Sequence, residues 1–326
     1  MKLFITGVTG YIGHKLAMAA VKKGYKVNAL IRNEDDPKRP IHPSINFFRG
    51  DITNFDSLID AMKGCDAVIH AAGLTQLWNK DRSLFYKVNV GGTRNMLEAA
   101  LHHNVKKFVF TSSCAVLGPS FNKPVKEDDP RLSAFENDYK ISKHCAEELV
   151  KEYSRKGLFT IIVSPPRIYG PGMLTKGNPI TRFVAKLIKR RVSLIPSAHD
   201  AVGNYAYADD VVEGHFLAMQ KGLGGEKYIL GGENISYQTF FNTIRECSGK
   251  KLGLIAVPKM VLKIGAALIY ASHYITGRHT HLSPKIVDRL FQNRAVSCEK
   301  AIRQLGYKIT PFREGMHQTI QHLKTV

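Results

Sequence analysis

Short apolar runs alternate with stretches of helical period through the first half of the chain. Lys2–Thr6 reads as a strand, and a glycine-rich turn leads from it into an apolar helix ending near Lys23. Lys26–Ile31, Asn46–Phe48, Ala67–His70, Phe108–Thr111 and Thr160–Val163 read as further strands. Helical periodicity fills the gaps, most clearly over Leu84–His102 and Tyr139–Tyr153. Strands alternating with helices predict βαβ units, and therefore a parallel sheet with right-handed crossovers. The runs Phe108-Val109-Phe110 and Ile161-Ile162-Val163 lack polar alternation, as expected of strands covered on both faces.

After Ser164 the pattern breaks. Pro165, Pro166, Gly170, Pro171, Gly172, Gly177 and Pro179 mark an excursion out of the sheet. Tyr205–Ala208 and Lys227–Leu230 read as returns to it, and the chain from Ser236 reads as mostly helical. The expected fold is α/β, a doubly wound parallel sheet with a smaller, mostly helical C-terminal lobe. Residues 1–165 form the sheet domain, with 203–232 returning to it; 166–202 and 233–326 form a substrate-binding lobe.

Composition supports a globular chain, with 44% hydrophobic and 23% charged residues in 326. The five cysteines are dispersed and form no CxxC pair, which predicts reduced thiols and a cytoplasmic protein. The first apolar run, Leu3–Ile5, passes directly into glycines rather than into a leader. The apolar stretch 261–275 is interrupted by Lys263, Ser272 and His273 and is too short for a transmembrane segment. The net charge of +20 is high, with a cluster at Lys186, Lys189, Arg190 and Arg191. Basic residues are nevertheless spread along the chain and no nucleic-acid motif is present, so no nucleic-acid partner is expected. What remains is a generally basic surface, suited at most to weak peripheral membrane contact or to anionic substrates.

Thr6-Gly7-Val8-Thr9-Gly10-Tyr11-Ile12-Gly13 joins the first strand to the first helix. Glycines there let the backbone approach a pyrophosphate, and the helix N-terminus offers N–H groups and a positive dipole end. The spacing is GxxGxxG rather than GxGxxG, so position at the first strand–helix junction carries the reading. Arg32, nineteen residues past Gly13 at the end of the second strand, suits the 2′-phosphate of NADP, where an acidic residue would suit NAD. Lys38 and Arg39 reinforce this; Glu34, Asp35 and Asp36 oppose it. NADP is favoured and NAD is the alternative.

Tyr139 and Lys143 stand four apart on one helix face. A phenol ordinarily titrates near ~10. A neighbouring ammonium would lower that value and make proton transfer easier at neutral pH. Ser112 or Ser113, after the fifth strand, could hold a carbonyl oxygen. Tyr11 and Lys15 share the spacing but lie in the glycine loop and its helix, and are read as structural.

Together these motifs resemble the extended short-chain dehydrogenase/reductase superfamily over essentially the whole chain. The resemblance rests on TGVTGYIG (6–13), GDI (50–52), HAAG (70–73), NVGGT (89–93), TSS (111–113), YKISK (139–143), PPRIYGPG (165–172) and YADDVVEGH (207–215). LWNKDRSLFYKVNVGGTRN (77–95) and EKYILGGENISY (226–237) look most like dihydroflavonol-4-reductase-like proteins. The resemblance implies a Rossmann fold, a small-molecule carbonyl or alcohol substrate, and often a homodimer. It makes Tyr139 the acid/base, Lys143 its modulator and ribose partner, and Ser113 the catalytic serine. It places Gly7, Gly10, Tyr11, Ile12 and Gly13 at the pyrophosphate, and Asp51 and Ile52 at the adenine. Ala71, Ala72 and Gly73 would pass the ribose, and Pro165, Pro166 and Ile168 would flank the nicotinamide. Asn89 is implied to be structural.

Two departures bear on substrate. Nucleotide-sugar epimerases carry an arginine just before the YxxVDD-like strand to grip the diphosphate, and Val202-Gly203-Asn204-Tyr205 has none. Flavonoid reductases carry an asparagine shortly after the serine, and Cys114-Ala115-Val116-Leu117-Gly118 has none. The expected activity is NADPH-dependent carbonyl reduction. A nucleotide-sugar epimerase or dehydratase with tightly bound NAD is the alternative, and a non-catalytic NADP(H) sensor the second. No metal is expected: His102 with His103 and His279 with His281 lack ligand spacing. His70 reads as packed, Trp78 as either a lid aromatic or a substrate contact, and Asp209 and Asp210 as helix-start residues before 211–219.

Overall fold

The computed structural model describes residues 1–76, 78–175, 177–190, 192–276 and 284–325. Leu77, Arg191, His279 and His281 lie outside the described residues. The strands are β1 (Lys2–Thr6), β2 (Lys26–Ile31), β3 (Ile45–Arg49), β4 (Ala67–His70), β5 (Lys107–Thr111), β6 (Thr160–Ser164), β7 (Arg167–Tyr169), β8 (Val192–Pro196), β9 (Val202–Tyr207), β10 (Lys227–Ile229), β11 (Glu233–Ser236) and β12 (Gly253–Val257). The helices of the first part are α1 (Tyr11–Lys22), α2 (Asp56–Met62), α3 (Ser83–Tyr86), α4 (Gly92–His102), α5 (Asp138–Arg155), α6 (Pro179–Arg190) and α7 (Ala208–Lys221). Those that follow are α8 (Tyr237–Ser248), α9 (Lys259–Thr276), α10 (Pro284–Leu290), α11 (Glu299–Leu305) and α12 (Phe312–Thr325).

Seven parallel strands form the central sheet in the order β10-β6-β5-β4-β1-β2-β3. The order reverses direction at β1, so helices cover both faces and a crevice opens beyond the carboxyl ends of β1 and β4. Two apolar layers result. Leu3, Ile5, Val109 and Ile161 pack towards α1 and α7, whereas Phe4, Phe108, Phe110 and Ile162 pack towards α4 and α5. These strands are buried on both faces, which explains their continuous apolar runs. The layered arrangement is the doubly wound Rossmann fold.

Several details differ from the sequence reading. Tyr205–Ala208 does not return to the central sheet. β9 instead pairs parallel with β7 and antiparallel with β11 in a separate three-stranded sheet, while β10 alone rejoins the centre. The alternating Tyr205-Ala206-Tyr207 encodes a strand but not its partner. The predicted helix Leu84–His102 is broken by a π-turn at Lys87–Gly91 between α3 and α4. The C-terminal region is helical apart from β12, which pairs with β8, and has its own aromatic core of Tyr169, Tyr205, Phe240 and Phe312. Asp209 and Asp210 lie inside the first turn of α7, which starts at Ala208, and do not cap it. Asp209 pairs with Lys15 at 2.7 Å, and Asp210 accepts from the amide and hydroxyl of Thr310, each at 2.7 Å. Among the described residues, no helix is long and apolar enough to cross a membrane.

Candidate active site

Gly7 follows β1 with φ +79°, the left-handed region that favours glycine. The turn backs directly onto the exit of β4. A Cβ on Gly7 would stand 2.8 Å from the Ala72 nitrogen, and one on Gly13 would stand 2.0 Å from the Gly7 carbonyl oxygen. Gly10 donates to that carbonyl at 2.9 Å and begins α1 with neither a side-chain cap nor a first-turn acid. The N–H groups of Tyr11, Ile12 and Gly13 therefore lie at a positive helix end without a side-chain acceptor, which fits a phosphate. Tyr11 is buried, donates to the Pro171 carbonyl at 3.2 Å, and its Lys15 neighbour pairs with Asp209, so neither is arranged as an acid/base pair.

Asp51 Oδ1 accepts from the amide and hydroxyl of Thr53 at 2.8 and 2.9 Å, and Ile52 is buried against Gly92. Arg32 is exposed at the end of β2 and has neither a hydrogen bond nor an ion pair among the described residues. The nearby acid Asp36 is engaged by its own turn, accepting from the Lys38 amide at 2.9 Å. A glycine cradle, uncapped helix start and free cation together suit a dinucleotide.

Beneath the cradle runs a buried chain of hydrogen bonds. The Ala72 amide donates to Thr6 Oγ1 (3.2 Å), which lies 2.8 Å from His70 Nδ1; His70 Nε2 lies 3.2 Å from Thr93 Oγ1, which donates to the Asn89 carbonyl (2.6 Å). Only an Nε2–H tautomer satisfies all of these at once. Burial, with Lys143 nearby, pushes His70 down to about 3, so it is neutral and serves packing. Asn89, carried by the π-turn, fixes the segment after β4: it accepts from the Leu74 amide (2.7 Å) and donates to the Leu74 carbonyl (3.2 Å) and to Ser142 Oγ (2.9 Å).

Asn137 caps α5 by accepting from the Lys140 amide at 3.0 Å, which sets Tyr139 in the first turn. Lys143, one turn on, is buried. Its Nζ donates to the Thr111 carbonyl at 2.7 Å, lies 4.2 Å from the Phe110 ring centroid, and is 4.0 Å from where a Cβ on Gly73 would be. Burial pushes Lys143 down to about 8, against the pull of Glu147. Burial raises the Tyr139 phenol above its ordinary value, while a hydrogen bond with Ser113 and the charge of Arg289 act to lower it. The expected lowering by Lys143 is thus not the main influence, because that ammonium is turned to Thr111.

The two candidate serines diverge. Ser112 Oγ donates to Glu147 at 2.5 Å, and Glu147 also pairs with buried Lys227 at 2.8 Å. Ser113, which acts to lower the Tyr139 phenol, is positioned by the short helical turn after β5, accepting from the Ala115 amide at 3.2 Å. The Cys114 amide donates to the Pro165 carbonyl at 3.0 Å, drawing half-buried Pro166 and Ile168 to the same edge of the sheet.

Sequence reasoning missed a group of charges beside Tyr139. Glu136 accepts from Arg131 (2.8 Å), Lys140 (2.5 Å) and Arg294 (3.1 Å). Burial works against ionisation of Glu136, yet Lys140 and Arg294 hold it down to about 2. Lys140 moves towards its neutral form, to about 7, through burial and the charges of Arg289 and Arg294. Glu136 is ionised, because one carboxylate serves three cations. Arg167 reaches across from β7 so that its Nη1 lies 1.7 Å from where a Cβ on Gly203 would be. A guanidinium therefore does stand at the Val202–Tyr205 stretch, supplied by the neighbouring strand. Only the pairing of β7 with β9 reveals it; sequence position could not.

Residues 3–231 match the model of the NAD dependent epimerase/dehydratase family. A Synechocystis sp. protein bearing the provisional name dihydroflavonol 4-reductase is 32% identical over 329 residues, covering 97% of this chain and 93% of that one. A 3-beta-hydroxysteroid dehydrogenase of Mycolicibacterium neoaurum is 26% identical over 322 residues, covering 94% and 87%. The crystal structure of Thermus thermophilus UDP-glucose 4-epimerase in complex with NAD superposes with a TM-score of 0.80 at 22% identity, covering 99% of each chain, a likeness of fold. With the family model matching most of its length, this chain belongs to the NAD-dependent epimerase/dehydratase family of extended short-chain dehydrogenases/reductases.

Proposed function

We infer that the chain is an NADPH-preferring reductase of a small-molecule ketone or aldehyde, reversible as an alcohol dehydrogenase. The observation that carries this reading is the placement of buried Lys143, one helix turn from Tyr139, with its Nζ donating at 2.7 Å to the carbonyl of Thr111, two residues before Ser113. The bound nicotinamide dinucleotide supplies or accepts the hydride. Gly7, Gly10, Tyr11, Ile12 and Gly13 would hold its diphosphate, Asp51 and Ile52 its adenine, and Ala71, Ala72 and Gly73 the ribose side. Lys143 would hold the nicotinamide ribose, with Pro166 and Ile168 flanking the ring. The lobe of residues 166–202 and 233–326 would receive the substrate.

Ser113 Oγ donates to the substrate carbonyl oxygen and fixes its position. Tyr139 Oη delivers the proton that the oxygen takes as it becomes a hydroxyl, and recovers it when the reaction runs backwards. Burial keeps that phenol protonated at neutral pH, ready to act as an acid. Lys143 supplies positive charge nearby. Tyr139→Phe should bind cofactor normally and lose on the order of 10²–10⁴-fold in turnover of a reducible carbonyl. Undiminished turnover in that variant would remove Tyr139 from this role.

The cofactor preference rests on the free guanidinium of Arg32 at the end of β2. Charge-assisted bonds to a 2′-phosphate contribute roughly 1.5–3 kcal/mol, about tenfold to a hundredfold in affinity. Arg32→Ala should narrow the preference by weakening NADPH binding while NADH binding is retained. Parallel titrations decide it, and equal affinities in the unaltered protein would make Arg32 a surface residue.

One observation supports a second reading, a nucleotide-sugar epimerase or dehydratase. Arg167 over Gly203 supplies a cation where such enzymes grip a diphosphate. NAD retained through purification, together with turnover of a UDP-sugar, would favour it.

A further inference from the structure

α9 presents its apolar side to water. At 3.6 residues per turn, Met260, Val261, Ile264, Ala267, Leu268 and Ala271 fall within one arc of about 120°. All six are exposed, and the four large side chains are more than half exposed. The lysines of the first turns are drawn the other way: Lys259 and Lys263 both pair with Asp288 of α10, at 2.9 and 3.0 Å, on the side where Ala266 is buried. β12, which leads into α9 through Pro258, is exposed in the same manner. Ile255 and Leu194 are register partners in the parallel pair β12–β8, so they share a face, and both are more than half exposed. Most of the large apolar side chains that are this exposed, among the described residues, lie in 192–194 and 255–268. A soluble chain rarely leaves so much apolar surface together without a partner for it.

Charge identifies the partner. All 27 acidic residues lie outside 153–199 and 247–287, the two stretches that carry β8, β12 and α9. Lys186, Lys189 and Arg190 at the end of α6 lead into β8, and Lys251 leads into β12; all four are exposed and none has an ion pair among the described residues. Because the two strands are parallel, Arg190 and Lys251 stand at the same end of the ribbon. A second copy of the chain packed on this face would bring like charges together, which is costly. A surface that is apolar within and anionic at its rim satisfies both features. We propose that the outer face of α9, with the β8–β12 ribbon, docks the protein on an anionic phospholipid bilayer, with α9 lying in the plane of the interface. α9 is not long and apolar enough to cross the bilayer, and an in-plane helix needs only one apolar arc. The basic surface by itself implies weak contact; side chains that insert among the lipids strengthen it. The inference is independent of the reductase reading.

The test is co-sedimentation of the full chain, at physiological salt, with vesicles of phosphatidylglycerol and phosphatidylcholine in equal parts, beside vesicles of phosphatidylcholine alone. The anionic vesicles should bind about tenfold or more tightly than the neutral ones. Ile264→Glu/Leu268→Glu alters two exposed side chains, so the melting temperature should hold while affinity for the anionic vesicles falls on the order of a hundredfold. If that variant does not fold, Arg190→Gln/Lys251→Gln supplies a second arm on separate elements, with an expected loss of about tenfold. No binding to either vesicle, equal binding to both, or anionic binding unchanged by the substitutions overturns the proposal. Sedimentation velocity without lipid covers the remaining occupant. A monomer, or an oligomer that Ile264→Glu/Leu268→Glu leaves intact, agrees with the proposal; a dimer dissociated by that substitution assigns the face to a second copy and overturns it.

Discussion

Burial moves Tyr139 and Lys143 in opposite directions as acids, raising the phenol and lowering the ammonium to about 8. Both shifts disfavour the charged form, as a low-dielectric site requires. Below about pH 8 Lys143 carries its proton and positive charge, and Tyr139 remains a phenol. Carbonyl reduction should therefore hold level through neutrality and decline as pH rises through about 8. A pH profile of kcat/KM with saturating NADPH reads this directly; a rate still climbing between pH 8 and 10 would contradict it. The spacing of Tyr139 and Lys143 was legible in the sequence because one helix turn brings them to a common face. The choice of Ser113 over Ser112 came only from the family resemblance, since adjacent residues of an extended segment point opposite ways and no local pattern separates them; in the structure Glu147 takes Ser112. Arg167 was invisible for a different reason: only the pairing of β7 with β9 brings its guanidinium over Gly203.

At the scale of elements, the seven strands of the central sheet were the most legible feature, within a residue or so at each end, because strands covered on both faces cannot carry polar interruptions. Outside that sheet β7, β8, β11 and β12 were not read as strands, and two further elements were misread. The π-turn at Lys87–Gly91 has the same composition as a helix, and the periodicity across Leu84–His102 does not betray one extra residue in a turn. β9 was seen as a strand but assigned to the wrong sheet, because period-two alternation does not name a partner. The glycine loop was legible from its place between β1 and α1, and its packing is tight enough to test. A Cβ at Gly13 would lie 2.0 Å from a backbone oxygen that cannot move without displacing Gly7 from Ala72. Gly13→Ala should therefore weaken NADPH binding by on the order of tenfold or more and lower the melting temperature. Unchanged affinity would show that the loop can shift without consequence.

The molecule sets the aromatic core of the lobe beside the two apolar layers of the central sheet, and the sequence foretold the layered sheet better than that core. The change in composition after Ser164 marked where the chain leaves the sheet, but Tyr169, Tyr205, Phe240 and Phe312 come from four separate stretches that no local pattern unites. The net charge of +20 likewise gave no hint that some cations are buried beside one carboxylate rather than spread over the surface. The packing of Arg167 over Gly203 has an evolutionary corollary. A side chain at position 203 would evict the guanidinium, and a guanidinium from position 167 forbids a side chain at 203. Across descendants of this scaffold the two positions should trade, large with small, so that one positive charge persists in space while its address in the chain changes.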